Sequence, residues 1–284
     1  MEIHALTQGV WYTEPVTAGD RPALGLAVGR DGALLIDSGN SPAHVTGLLQ
    51  FARSLDVPLL AVCLTHWHWD HVCGAVSTGL PVIACDKTAQ KLDWMRTLEW
   101  TDAALAQRVA DGTEMEFCRE NIRIEYPEDT RKLEIPAADR VFSGEYTVAL
   151  GGVTARILQV GSDHSPDCCV VHLVEAGVVF LGDCLYLNMD REPWYRTGER
   201  TRRLLERLLA LDARWYVPAH HGLYTAEAFR EFAGQMTAAS YAVTEAQDLD
   251  DAARRFEART GRAADEGVRE QLGEFLAARA YGLA

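Results

Sequence analysis

Short apolar runs separated by turn residues fill the chain up to about residue 88, interrupted by one stretch of apolar positions at helical spacing. ALGLAVGRDGALLIDSGN (23–40) reads as two strands joined at Arg30-Asp31-Gly32, because Asp-Gly supplies the positive φ angles of a tight hairpin. SPAHVTGLLQFARSLDV (41–57) reads as a helix: Ser41 is the candidate N-cap, Pro42 lies in the first turn, and Val45, Leu48, Leu49 and Leu55 mark one face. PLLAVCLTH (58–66) then reads as a buried strand.

The hairpin style returns after residue 140. EYTVALGGVTARILQV (145–160) and CCVVHLVEAGVVFLGDCLY (168–186) are each strand, glycine-containing turn, strand. A Leu/Arg-rich helix over about 201–210 leads into the strand RWYVPAHHG (214–222). This order predicts an α/β fold of two similar halves packed as a four-layer αββα sandwich. Two segments lie outside that frame. Residues from about 88 to 139 are charged and helix-prone, with Trp94, Met95, Leu98 and Trp100 near one end, and read as a helical insertion: a surface segment that packs on the sandwich, or a lid over the site. From about Thr225 the chain reads as two or three amphipathic C-terminal helices. No flexible linker interrupts it, so residues 1–284 are expected to form a single domain.

Composition narrows the function. Twenty-seven basic against 41 acidic residues give a net charge of −14, which argues against nucleic acid and anionic membranes as partners and for a small-molecule substrate; only a local basic patch would escape this argument. The opening MEIHALTQGVWYTEP has no basic-then-apolar export pattern, and no later segment approaches 18 uninterrupted apolar residues. Seven cysteines without any C-x-x-C pair fit reduced thiols and a cytoplasmic location. A homodimer is left open by these numbers.

The chemistry concentrates in THWHWDH (65–71), which holds three of nine histidines. At a strand end, His66 and His68 at i and i+2 point the same way, so two imidazoles converge on one ion. Asp70 and His71 follow where the chain should turn into a helix and aim at a second point, so the motif suits two ions better than one. Trp67 is then expected to face away into packing, while Trp69, at the turn, is free to border a pocket. A hydrolytic zinc takes three or four N/O ligands and leaves a position for water, so further ligands are needed. His164, Asp183, and His220 or His221 stand after three other predicted strands. His4, His44 and His172 read as ordinary packing residues, and Cys168, Cys169 and Cys184 as buried strand neighbours.

LLIDSG around Asp37, THWHWDH, the loop residue His164, FLGD ending at Asp183, and PAHHG are ordered and spaced as in the metallo-β-lactamase superfamily, which the chain resembles from about residue 20 to 225. The resemblance implies that His66, His68 and His164 bind one metal and Asp70, His71 and His220 the other, with Asp183 bridging. His220 is preferred over His221 by its place two residues after Pro218. Asp37 would support the site without ligating.

By the same resemblance the reaction is hydrolysis by a hydroxide shared between two Zn2+ ions, with Fe or Mn as other metals, and Asp70 shuttles the proton. Tyr186 lies three residues after Asp183, where lactone-cleaving relatives carry a tyrosine that contacts the carbonyl. This favours an ester, lactone, thioester or amide, in a lactonase- or glyoxalase II-like branch, although Val72-Cys73-Gly74-Ala75 departs from the glycine pair of the latter. The alternatives are a mononuclear-iron sulfur dioxygenase, a phosphodiesterase of the same fold, and a non-catalytic metal-binding protein.

Overall fold

A computed structural model describes residues 2–190 and 192–283. Seven strands form one sheet in sequential order: β1 (Ile3–Thr7), β2 (Val10–Thr13), β3 (Gly25–Val28), β4 (Ala33–Ile36), β5 (Leu59–Cys63), β6 (Val82–Cys85) and β7 (Arg140–Phe142). The first four pair antiparallel and the last four parallel. The second sheet holds β8 (Glu145–Ala149), β9 (Thr154–Gln159), β10 (Cys169–Leu173), β11 (Val178–Gly182), β12 (Trp215–Pro218) and β13 (Tyr224–Thr225), with β11 and β12 as its parallel pair.

Strand periodicity explains how these short apolar runs make layers. Along β4, Leu34 and Ile36 face the second sheet, while Ala33 and Leu35 face outward. Along β10 and β11, Cys169, Val171, Val178 and Phe180 point into the space between the sheets, and Val170, Val179 and Leu181 point out. Both faces of each sheet are therefore covered, which gives three apolar seams and the expected four-layer αββα sandwich.

Helices α1 (Pro42–Ser54), α2 (Trp69–Val72), α3 (Ala75–Thr78), α4 (Asp86–Met95), α5 (Asp102–Ala110) and α6 (Glu116–Glu125) belong to the first half; α7 (Gly198–Leu209), α8 (Ala226–Ala242), α9 (Leu249–Thr260) and α10 (Glu266–Ala277) belong to the second. Helix α1 begins as its sequence predicts: the Ser41 hydroxyl accepts from the His44 N–H at 3.1 Å, and Val45, Leu48, Leu49 and Ala52 are buried. The C-terminal helices pack on the outer face of the second sheet, where Phe229 stacks on Tyr216 with ring centroids 3.9 Å apart.

One expectation changes. The turn at Arg30-Asp31-Gly32 joins β3 to β4, but neither Asp31 nor Gly32 has positive φ. The loop is set by contact instead: Arg30 and Asp31 donate backbone N–H bonds to Gly151 and Leu150 of the facing hairpin (3.0 and 2.9 Å), and a side chain at Gly29 would collide with the Leu150 carbonyl. The segment from about 88 to 139 is a helical crossover, since α4–α6 carry the chain from β6 to its parallel neighbour β7. Its residues Leu92, Met95, Leu105 and Ile122 are buried in the outer seam of the first sheet, so it packs on the sandwich, in line with the first of its two readings.

Candidate metal centre

Strand β5 ends at Cys63, three residues before the first motif histidine, and residues 65 and 66 form a bend. Strand alternation therefore does not aim His66 and His68; the bend does. Asp37 fixes that bend. Held at φ +56° by a backbone bond to the Cys63 carbonyl (2.8 Å), its carboxylate accepts from the Thr65 N–H (2.7 Å) and the Thr65 hydroxyl (2.8 Å), and lies 2.8 Å from His71 Nδ1. Ser38 donates its N–H and hydroxyl to the His71 carbonyl (3.0 and 2.8 Å). Gly74 passes so close to the Ser38 carbonyl that any side chain there would displace the loop.

The structure brings all seven sequence-predicted ligands together. His66, His68, His164 and Asp183 form one group and Asp70, His71, Asp183 and His220 another; within each, one ligand atom per residue lies within 4.8 Å of the others. His68 Nδ1 is 2.9 Å from His164 Nε2, and His164 Nε2 is 3.3 Å from Asp183 Oδ2. In the second group, Asp70 Oδ2 lies 3.1 Å from His71 Nε2 and 3.2 Å from His220 Nε2, and Asp183 Oδ1 lies 3.3 Å from His71 Nε2. His221 is exposed and outside both groups. His172 lies on β10, His4 on β1, and His44 in α1 under the loop of Gly39.

The ring nitrogens are oriented by their neighbours. A carbonyl only accepts, so the 3.2 Å contact of His164 Nδ1 with the Leu187 oxygen puts the proton on Nδ1 and the Nε2 lone pair toward the cluster. Asp37 does the same for His71, and Asp20, 3.3 Å from His220 Nδ1, does it for His220. The Thr65 hydroxyl, already donating to Asp37, accepts from His66 Nδ1 at 3.3 Å. Four histidines thus present Nε2, and His68 presents Nδ1. His66 Nε2, His71 Nε2 and Asp183 Oδ1 are buried without a hydrogen-bond partner. Buried polar atoms are seldom left this way, and several aimed at shared points fit a divalent cation held by nitrogen and oxygen donors.

Burial and charge act differently on the members. Burial, then the neighbouring imidazoles, holds His66 well below its ordinary pKa and brings His68 to about 3, so both are neutral donors. Burial also opposes charge on His220 and His71, but the surrounding carboxylates outweigh it, taking His220 to about 10 and His71 well above the normal range. Asp70 and Asp183 stay ionised well below the usual carboxylate range, despite burial, because of those same histidines.

Tyr186 stands at the centre: its phenolic oxygen accepts the His220 backbone N–H at 3.0 Å, and burial raises its pKa. Cys184 is buried with the outer seam of the second sheet, its thiol pKa raised by burial, so it is a packing residue. Cys169, the first residue of β10, points between the sheets, and Cys168 just before it points into the outer seam.

A cavity of about 510 Å³ opens over both groups, walled by Trp94, Met95, Leu98, Trp100, Met115 and Phe117 of the crossover. Trp67 corrects the expectation made for it. Because the strand has already ended, its ring lines this cavity, with Nε1 donating to the Ser165 hydroxyl (3.1 Å) and the Lys91 ammonium 4.6 Å from its centroid. Trp69 opens α2, is buried, and also touches the cavity. Asp20 was not legible as a site residue, since a lone aspartate in TAGDRP carries no periodic or spacing signal; its burial beside Asp70 raises its pKa to about 7.

With this geometry in place, comparison with known proteins is direct. The family model of the metallo-beta-lactamase superfamily matches residues 22–220, and the chain belongs to that superfamily. Among solved structures it is similar to a metallo-beta-lactamase family protein from Thermus thermophilus (20% identity, TM-score 0.58, 98% of this chain and 95% of that one). It is also similar to a metallo-beta-lactamase from Pontibacter korlensis (20%, TM-score 0.55, 82% and 97%) and one from Hirschia baltica (18%, TM-score 0.53, 82% and 96%). At these identities the structural matches establish the fold alone. No curated protein matches the sequence. Members of the superfamily are mostly metal-dependent hydrolases, and the two His/Asp groups agree with that class.

Proposed function

We propose that the chain is a dinuclear zinc hydrolase of the lactonase- or glyoxalase II-like kind, cleaving a small ester, lactone, thioester or amide. The observation that carries this reading is the pair of four-residue groups sharing buried Asp183, with donor atoms left unpartnered toward common points. When bound, the zinc ions would supply Lewis acidity and bring the pKa of a water down to about 7.

The chain's own residues do the rest. His66, His68 and His164 would hold the first ion, and Asp70, His71 and His220 the second, with Asp183 common to both. Asp37 and Asp20 keep the His71 and His220 rings in the tautomer that offers Nε2 inward. Asp70, between His71 and His220 at the cavity floor, is the group to carry a proton from water to leaving group. Tyr186 stays protonated; because its oxygen already accepts from His220, its hydroxyl proton is left to donate to a substrate carbonyl. The apolar wall of the crossover supports an acyl substrate and sets specificity. Seven free, buried cysteines support a reducing, cytoplasmic setting.

The test is metal analysis joined to a panel of homoserine lactones, S-acyl thioesters, lactams and bis-aryl phosphodiesters. Turnover of an acyl substrate by protein carrying two zinc ions supports the reading. Fastest turnover of the phosphodiester removes the acyl preference, and one iron per chain with no hydrolysis moves the assignment to the dioxygenase.

A further inference from the structure

A second cleft, of about 650 Å³, lies outside the metal centre between the start of α7, the end of α8 and the end of α10. Five arginines line it: Arg200, Arg202, Arg203 and Arg207 from α7, and Arg279 from the chain's last turn. Among the described residues, Glu199 is the only acidic one in its wall. In a chain of net charge −14 this is a concentrated reversal of sign.

How the arginines are held matters more than their number. Arg207 donates to the carbonyls of Val160 and Gln159 (3.2 and 3.1 Å), Arg279 to those of Val243 and Ala246 (2.7 and 2.6 Å), and Arg202 to the Ser240 hydroxyl (3.1 Å). All these acceptors are neutral. They fix the guanidinium positions without cancelling charge, and none of the three arginines has a carboxylate partner among the described residues. Arg203 is paired with Glu199 at the surface, and Arg200 reaches Asp163 at 3.4 Å. Arg200, Arg203 and Arg207 recur at i, i+3 and i+7, so they share one helix face, on which Asp163 and Glu199 offset only the first two charges. A multiply charged anion would balance the remaining charge and meet donors already in place.

We propose that this cleft is a second ligand site, taking a di- or triphosphate group such as that of a nucleoside diphosphate. Its size lies within the roughly 300–1,000 Å³ of small-molecule sites, and Val243, Phe275 and Leu283 supply an apolar surface for the group that carries the phosphates. The site stands on its own observations and does not depend on the reaction assigned to the metal centre. It is also the local basic patch that net charge alone would hide.

Titration calorimetry at low salt, with ADP and with inorganic pyrophosphate as probes, tests this. Both are expected to bind with affinity that falls as salt is added, and tighter binding of ADP would show that the nucleoside contributes. The Arg203→Gln/Arg207→Gln double variant keeps neutral donors while dropping two charges; it is expected to lose about tenfold or more in affinity with an unchanged circular dichroism spectrum and unchanged basal hydrolysis. Phosphates also bind metal sites, so Asp183→Ala is the control, and it is expected to bind ADP as the parent does. The proposal is overturned if neither probe binds, if the double variant binds as tightly as the parent, or if Asp183→Ala abolishes binding.

Discussion

The two ligand groups meet at Asp183 but are built from different chemistry. The first is three imidazoles and one carboxylate, lying around His66, which is fully buried. The second is two imidazoles and two carboxylates, and its His220 side chain keeps 22% of its surface exposed at the cavity. Nitrogen-rich sets favour zinc, and oxygen-rich sets accept manganese or iron more readily. Both groups reach the cavity, the first through His68 and His164 and the second through Asp70 and His220, and the first is expected from its donors to be the more selective for zinc. Their supports differ as well: a backbone carbonyl and a hydroxyl orient His164 and His66, while aspartate side chains orient His71 and His220.

The largest effect should come from the shared residue. Asp183→Ala is expected to remove both ions and to lower kcat/KM by about three orders of magnitude or more, read by metal analysis and steady-state kinetics. Next, His68→Ala and His220→Ala should each leave one ion, and the survivor should differ: the His220 variant keeps the zinc-selective group, and the His68 variant exchanges zinc for manganese more readily. Equal metal preference in the two variants would break the comparison.

Removing an orienting carboxylate should act on one half only. Asp20→Ala is expected to weaken the second ion by about 10–100-fold and leave the first unchanged, as judged by competition with a chelator. Trp94→Ala should keep both ions while raising KM for long acyl or aryl substrates by roughly tenfold, and leave the smallest substrate nearly unaffected. A fall in metal content would show that the crossover supports the ligands rather than the substrate.

How much of this the sequence carried depends on the kind of signal. The strands β3 and β4, α1 with its Ser41 cap, and the strands delivering His164, Asp183 and His220 follow from short-range periodicity and stand where expected, whereas the β3–β4 turn is set by contact with Gly151 and Leu150. The direction of Trp67 did not, because it required knowing that β5 ends at Cys63 rather than running into the motif. Asp20 joins the site only because the β2–β3 loop folds back against His220, a contact across about two hundred positions that no local pattern announces. The arginine cleft was legible only in part: four of its five arginines stand together in the Leu/Arg-rich helix α7, but no local pattern shows that the ends of α8 and α10 meet them and bring Arg279.

The smallest expected effect concerns a histidine outside both groups. Burial, then the charge of Arg21, lowers His44 to about pKa 3, and its Nδ1 accepts from the Asn40 N–H at 3.4 Å. Its folded pKa is below the unfolded value of about 6.5, so the unfolded chain binds the extra proton. Its contribution to stability is complete above about pH 6.5 and is lost as pH falls toward 3. In His44→Gln, denaturant unfolding followed across that window should show about one proton less taken up on unfolding, with metal content unchanged.

The central claim is that two ions share Asp183, and the most direct measurement is metal per chain in the purified parent protein beside His68→Ala. Two zinc ions in the parent and one in the variant are the expected result. No transition metal in the parent, a single iron, or a variant that binds as much metal as the parent would contradict the account.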